Sequence, residues 1–440
     1  MRKFRPMMMM GFILLLLIQS ACGNSANNET PKAQETPKAA NAAPKENDAP
    51  KEKVKLAFWD FHSDAELKFF EDLVKEYNAT HENVEITIST SAQNDYTTTK
   101  LPTAFATGSG PDLFFISPGD FVKFAKSGTM LDLAPYFEEG VIEDFLPAAI
   151  DAVTYEGKIM AMPFELEILG LYYNKEMLAN ANVEVPKTWD ELRAAAKKLT
   201  TDKVAGLVIP PDKGPYFNFI WYPFLWQLGG SVLNEEGTKS TFNSPEAAQA
   251  LEAWGAFFKD GSAPAKLQLG PWDIANLGNK TAAMQIIGTW AINTVESQFG
   301  DVPIGLAPLP IPAGGKAATD AGGWKLAANA HGNHVDEAAK FIMWAFGSKD
   351  VSHAVKWGTE IKFAYSPRKS VVEAGKDIYS KGLRKVFTEE IYDSAIPEPR
   401  YPSEILDIVG DAMQKVMFNK MSGADAAKEA DAKITEFLSK

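Results

Sequence analysis

Val54-Lys55-Leu56-Ala57-Phe58-Trp59-Asp60-Phe61-His62-Ser63-Asp64-Ala65-Glu66-Leu67 reads as a strand running into the start of a helix. Val54–Trp59 is an apolar run of strand length. Ser63 with Glu66 three residues on predicts a capping box, and Leu67, Phe70, Leu73 and Tyr77 then recur on one helical face. The period changes at Val84–Ser89, where Val84, Ile86 and Ile88 alternate. Tyr96–Ala106 suits a helix despite Pro102, with Gly108 and Gly110 to stop it, and Asp112–Ile116 is another buried-strand candidate. Strands alternating with helices predict an α/β fold with parallel sheets covered on both faces, and ligands at the loops off the carboxyl ends of strands. Trp59-Asp60-Phe61-His62 and Ser117-Pro118 stand at such ends.

The same grammar continues downstream. Thr188-Trp189-Asp190-Glu191 repeats the capping-box pattern after Pro186, and Ser244-Pro245-Glu246 opens a helix running to Gly261. About 390 residues follow the N-terminal region, more than one core usually serves, so two lobes are expected.

Upstream lies a different kind of sequence. Arg2, Lys3 and Arg5 precede an apolar stretch from Met7 to Ile18, then Ser20-Ala21-Cys22. Charged, apolar and small residues in that order predict an export signal over residues 1–21, shorter than the about 20 apolar residues a span needs. The segment resembles a bacterial lipoprotein signal, with Gln19 standing where leucine is usual. That resemblance implies lipid on Cys22, the one cysteine of the chain. Gly23–Lys53 has no aromatic residue and no Val, Ile, Leu or Met, so residues 22–53 are expected to be a disordered, lipid-anchored linker.

The formal charge of −13 becomes −16 without the three basic residues of the signal, and no basic run is present. Nucleic acid is therefore not an expected partner. With no cysteine after Cys22 there is no disulfide framework, thiolate zinc site or cysteine nucleophile. His62, His81, His331, His334 and His353 form no recognised metal spacing, and neither a phosphate-cradling loop nor a Gly-x-Ser-x-Gly elbow is present. No metal, cofactor or catalytic residue is expected. Glu165 and Glu167 would share one side of a strand, a candidate hydrolytic pair whose spacing does not fix the separation such chemistry needs.

Ten tryptophans are many for this length. Trp189, Trp254 and Trp344 sit on amphipathic helices and are expected in the core. Trp59, Trp221, Trp290 and Trp324 lie at strand ends or in turns such as Gly288-Thr289-Trp290 and Gly322-Gly323-Trp324. A flat ring there can stack on the C–H face of a sugar while polar neighbours take its hydroxyls.

Met162-Pro163-Phe164-Glu165-Leu166-Glu167-Ile168-Leu169-Gly170-Leu171-Tyr172-Tyr173-Asn174-Lys175 resembles extracellular solute-binding proteins of the maltose-binding type. Pro186-Lys187-Thr188-Trp189-Asp190-Glu191 continues the likeness in register. So do Gly110-Pro111-Asp112, Gly229-Gly230, Phe242-Asn243-Ser244-Pro245-Glu246, Gly278-Asn279-Lys280-Thr281-Ala282-Ala283-Met284 and Gly288-Thr289-Trp290. The resemblance implies a two-lobed periplasmic-binding-protein-like fold of type II, with hinge-linked lobes closing on a solute in the cleft between them. It places crossings near Pro163, Val302–Leu309 and Gly347–Val351, with lobe one at 54–163 and 306–348 and lobe two at 164–302 and 352–440.

By position the resemblance nominates Trp59, Asp60, Ser117, Glu165, Glu167, Trp221, Tyr222, Trp290, Gly323, Trp324, Arg400 and Tyr401 as ligand-binding, with Arg368 as a second-tier candidate whose alternative role is only to brace the hinge. It implies a non-enzymatic, monomeric ABC-importer receptor, lipid-anchored on the outer face of the cell membrane, that binds a carbohydrate and delivers it to permease subunits. The rivals are a polyamine receptor drawing on Glu165, Glu167 and Asp60, a surface-anchored glycoside hydrolase, and an adhesin or structural lipoprotein.

Overall fold

Phe58, at the centre of the opening strand, is fully buried, and a sheet grows outward around it. A computed structural model describes residues 53–440, so the expected signal, Cys22 and the linker through residue 52 lie outside the described residues. Strand β1 (Val54–Asp60) pairs in parallel with β2 (Val84–Thr90) and with β3 (Leu113–Ile116). The helix Asp64–Thr80 lays Phe69, Phe70, Leu73, Val74 and Tyr77 against the core. Its predicted capping box does not form: the Ser63 hydroxyl donates to Asp64 Oδ2. Glu66 turns instead toward His62 Nε2 at 3.7 Å and Lys362 Nζ at 3.9 Å. The box at Thr188 and Glu191 is complete. The helical run Gln93–Ala106 contains a π turn over Tyr96–Lys100 just before Pro102, which has no N–H to return to the preceding turn.

A hairpin of β4 (Thr154–Tyr155) and β5 (Lys158–Ile159) leads to β6 (Met162–Pro163) and then β7 (Glu167–Asn174). A second sheet forms around β7. On one side β7 pairs with β9 (Ala282–Gly288), beyond which lies β8 (Ala205–Val208). On the other it pairs with β10 (Ile304–Ala307) and β11 (Thr319–Gly322). The chain then re-enters the first sheet as β12 (Lys325–Ala328), between β3 and β6, and later returns as β13 (Ala395–Pro397) beside β11.

Both sheets are mixed, which corrects the expectation of parallel ones. Strands β12 and β6 run antiparallel in the first sheet, and β7 runs antiparallel to β9, β10 and β11 in the second. A strand that leaves through a hinge and a strand that returns through it must point opposite ways, so repeated crossing builds antiparallel pairs.

The first crossing runs through Phe164-Glu165-Leu166, between β6 of the first sheet and β7 of the second. The second falls at Gly323-Trp324 and not at 302–309: β10 and β11 both belong to the second sheet. The third pass is later than 347–351. Ala354 and Trp357 still pack in the first core, whereas Phe363 and Tyr365 pack in the second lobe, and Tyr365 pairs with Leu166 at the first crossing. The first core is a ring cluster, with Phe70 5.0 Å from Trp357 and Phe164 4.8 Å from Phe346. Among the described residues no helix is long and apolar enough to cross a membrane.

Candidate functional site

The crossing strand places Glu165 and Glu167 on one side, and Lys362 from the third pass comes between them. Glu165, fully buried, accepts from the Trp324 backbone N–H at 2.9 Å and the Trp357 indole at 3.0 Å. The Lys362 ammonium lies 3.4 Å from Glu165 and 2.5 Å from Glu167. Burial pushes Glu167 up to about 7, with Glu165 and Glu66 adding and Lys362 opposing. Burial alone would lower Lys362, but the surrounding carboxylates hold it above its ordinary range. Both members of the candidate hydrolytic pair are thus engaged by one buried cation, which ties the first crossing to the third.

Gly323 completes this junction. Its φ is +114°, and a Cβ there would lie 2.8 Å from the Glu165 carbonyl oxygen, so only glycine fits. Trp324 follows at the second crossing and packs against Phe61 at 4.1 Å. Arg368 ties the segment after the third pass to lobe one: its Nε donates to Asp144 at 2.8 Å, and its Nη1 to the carbonyls of Phe346 and Ser348.

In lobe one, Asp60 orders its own loop. Its Oδ1 accepts from the backbone N–H groups of Phe61 at 2.6 Å and His62 at 3.0 Å, and faces His62 Nδ1 at 2.6 Å. Burial works to lower the His62 pKa, but Asp60 and Glu66 raise it overall. Trp59 is half-buried with Lys100 Nζ 4.4 Å from its ring. Ser117 caps the helix Pro118–Lys126, accepting from Asp120 N–H and donating to Asp120 Oδ2 at 2.9 Å. Asp60 and Ser117 therefore shape the loops from which the aromatic rings project.

Lobe two contributes a second aromatic group. Trp290 is half-buried, its indole donating to the Trp272 carbonyl at 3.0 Å. It lies over Gly288, where a Cβ would meet the ring at 1.8 Å. The rings of Tyr216 and Phe219 stand 6.1 and 6.4 Å away, and Trp272, 47% exposed, meets Tyr216 edge-on at 6.0 Å. Thr289 N–H donates to the Ile168 carbonyl, which fixes this group beside the start of β7 and Glu167. Tyr216, Phe219 and Trp272 escaped the sequence reading, although Gly270-Pro271-Trp272 has the same turn-and-tryptophan form as Gly288-Thr289-Trp290.

Trp221 and Tyr222 do not belong to this group. They lie inside the helix Pro215–Gln227, and Trp221 is fully buried with its indole directed at the Ala250 carbonyl. That helix is apolar nearly all round, which buries it whole instead of presenting one face to a cleft. Tyr222 stacks on Trp226 at 5.5 Å, and Tyr401 meets it edge-on at 6.0 Å. Burial pushes Tyr401 up to about 12.

Between the lobes is a cavity of about 230 Å³, lined by Pro118, Pro163, Leu166, Gly322, Lys325, Glu398 and Arg400 among others. Arg400 spans it, its Nη1 donating to the Thr154 carbonyl at 2.6 Å and its guanidinium 5.4 Å from the Phe121 ring. Lys325 is buried and donates to the Gly323 carbonyl at 2.7 Å. Burial lowers its pKa, against the pull of Glu165, Glu398 and Glu167. Glu398 is pushed up to about 8 by burial, with Lys325 opposing and Glu167 and Asp120 adding. Lys325, Lys362 and Glu398 were not read as site residues; charges inside or beside apolar strands, as in Asp320-Ala321-Gly322-Gly323-Trp324-Lys325, were the available signal.

Two mixed α/β lobes, joined by crossing strands and meeting at a polar and aromatic seam, define a hinged, two-lobed binding protein. The chain belongs to the bacterial extracellular solute-binding proteins, whose family pattern its residues 63–351 match. A maltotriose-binding protein of Pyrococcus abyssi is 28% identical over 298 residues, 66% of this chain and 62% of that protein. A Deinococcus radiodurans protein described as "Probable ABC transporter-binding protein" is 24% identical over 320 residues, 69% of this chain and 75% of that one. Among solved structures, the GacH receptor of Streptomyces glaucescens, known unliganded and with acarbose, superposes with a TM-score of 0.76 at 25% identity, covering 88% of this chain and 99% of that one. An ABC-transporter solute-binding protein of Thermotoga lettingae bound to α-D-tagatose gives 0.77 at 24% identity, over 88% and 100%, and shows the fold.

Proposed function

We propose that this chain is the receptor of an ABC importer, capturing a saccharide between its lobes and delivering it to a membrane permease from a lipid anchor on Cys22. The observation that carries the reading is the pairing of aromatic groups from both lobes, Phe61 with Trp324 and Trp290 with Tyr216 and Trp272, flanking the polar crossing at Glu167. Rings of this kind offer faces to sugar C–H groups, and the seam supplies hydrogen-bonding groups for hydroxyls. The maltotriose-binding and acarbose-binding relatives support a carbohydrate ligand. The polyamine alternative is weakened because Glu165 and Glu167 are paired with Lys362 and Asp60 is held by its own loop. The same pairing weighs against a glycoside hydrolase built on the two glutamates.

A saccharide at a hundred times its Kd should stabilise the protein by about 2.7 kcal/mol, and so raise Tm in a panel of sugars and polyamines. A shift with spermidine and none with any sugar would overturn the reading. Release of hydrolysis products from labelled oligosaccharides would contradict a pure receptor. Trp290→Ala should weaken the sugar that binds by about tenfold, the size of a stacking contact with its buried area, and leave the fold intact. Intact-mass analysis of the membrane fraction should find lipid on Cys22; an unmodified mature chain would remove the tether and keep the receptor.

A further inference from the structure

The first crossing has two faces, and only one of them carries the acids. The alternation that turns Glu165 and Glu167 toward Lys362 turns Leu166 and Ile168 the other way. Ala321 pairs with Ile168 between β11 and β7, and Pro397 pairs with Ala321 between β13 and β11, so these residues share the second face. All of them line the interlobe cavity, and Leu146 and Ala149 close it from lobe one. The aromatic group of lobe two lies across the sheet: Phe219 covers Gly322, whose neighbour on β7 is Glu167. The cavity and the aromatic seam therefore stand on opposite faces of one crossing.

Apolar walls offer nothing to the hydroxyls of a sugar. The charged exceptions are Lys325, Glu398 and Arg400. Arg400 makes one side-chain hydrogen bond, to the Thr154 carbonyl, and Asp151 acts on it only from beyond hydrogen-bond reach. Its other N–H groups form a planar fork of the kind that receives a carboxylate. Lys325 donates to the Gly323 carbonyl, and no carboxylate hydrogen-bonds to it. Burial holds the proton on Glu398 up to about 8, so at neutral pH the one acid of the wall adds no negative charge. The cavity is lined by hydrocarbon and carries unpaired positive charge.

We propose that this cavity is a second binding site, for a small monocarboxylate whose charged end meets Arg400 and whose hydrocarbon body packs on Leu166, Ile168 and Ala149. A cationic ligand would meet Arg400 and Lys325 as like charges, and a neutral apolar one would leave the guanidinium without its partner. A volume of about 230 Å³ suits a short aliphatic acid or a single aromatic ring, and not a chain of sugar units. The inference stands apart from the saccharide reading, because the two sites use different faces of the crossing.

The test is calorimetric titration of the full chain with propionate, butyrate, hexanoate, benzoate and phenylacetate, each beside its primary amide. At least one acid should bind saturably and at least about tenfold more tightly than its amide, the size expected of a charge-assisted hydrogen bond. Arg400→Gln should erase that preference. Arg400→Lys, which keeps the charge and loses the fork, should weaken it and keeps the test open if the glutamine variant fails to fold. Trp290→Ala, impaired toward sugar, should bind the acid as the unmodified protein does. Saturable binding of none of the acids, amides that bind as tightly as their acids, or a preference that survives Arg400→Gln would overturn the inference. Loss of acid binding in Trp290→Ala would also overturn it, by placing the acid in the aromatic seam. The saccharide receptor stands in each of these cases.

Discussion

Two groups of buried acids lie near the hinge and differ in their donors. Glu165 receives a backbone N–H, an indole N–H and a share of the Lys362 ammonium, and Glu167 takes the rest of that ammonium. Asp320 receives no side-chain donor at either oxygen. The first group joins the three passes of the chain around one shared cation. The second lies in β11 next to Ala321 and Gly322, which line the interlobe cavity. The contrast teaches that charge inside a hinge is not by itself a binding signal: a buried carboxyl group is held either by a shared cation or by keeping its proton.

Removing the shared cation should have the largest effect. Lys362→Met leaves Glu165 and Glu167 buried together without their ammonium and should lower stability by about 3–5 kcal/mol in urea unfolding. A loss below 1 kcal/mol would mean that the cluster does not hold the hinge, and would remove one side of the contrast. Gly323→Ala forces a side chain into a left-handed backbone position against the Glu165 carbonyl, and should lower stability by about 1–3 kcal/mol. Asp320→Asn should move the other way: a neutral amide carries no charge to be buried, so the ligand-free protein should gain about 1 kcal/mol. Destabilisation by that variant would show that Asp320 is already satisfied.

The smallest effect is on pH dependence. The Glu167 carboxyl titrates at about 7 in the folded protein against an ordinary 4.5. The folded state therefore keeps a proton that the unfolded chain has released, and stability falls as pH rises from 4.5 to about 7. Glu398 acts in the same direction up to about 8, so the measurement is the difference between the unmodified protein and Glu167→Gln, whose Tm should fall less steeply over that window. Parallel curves would place the Glu167 titration elsewhere.

Much of the fold is legible in the sequence because its signals are local. The β1–β3 periodicities, the Thr188 capping box and the stretch through residues 162–175 each declare themselves within a few turns of chain. The second crossing did not, because β10 and β11 both lie along β7, and such pairing depends on residues far apart in sequence. Trp221 reads from the sequence as standing at a strand end or turn, yet Pro215–Gln227 is one buried helix. Of the nominated site residues, Trp290, Glu167, Gly323 and Trp324 come to the seam, and Arg400 to its cavity. Lys362 and Asp320 were silent because their meaning lies wholly in distant partners, or in the lack of them.

Hinge closure on a saccharide is tested most directly by small-angle X-ray scattering of the full chain, with and without a saturating sugar that raises its Tm. The radius of gyration should shrink when the sugar binds, because only differential contact with both lobes can draw them together. Tight sugar binding with an unchanged scattering profile would contradict capture between closing lobes.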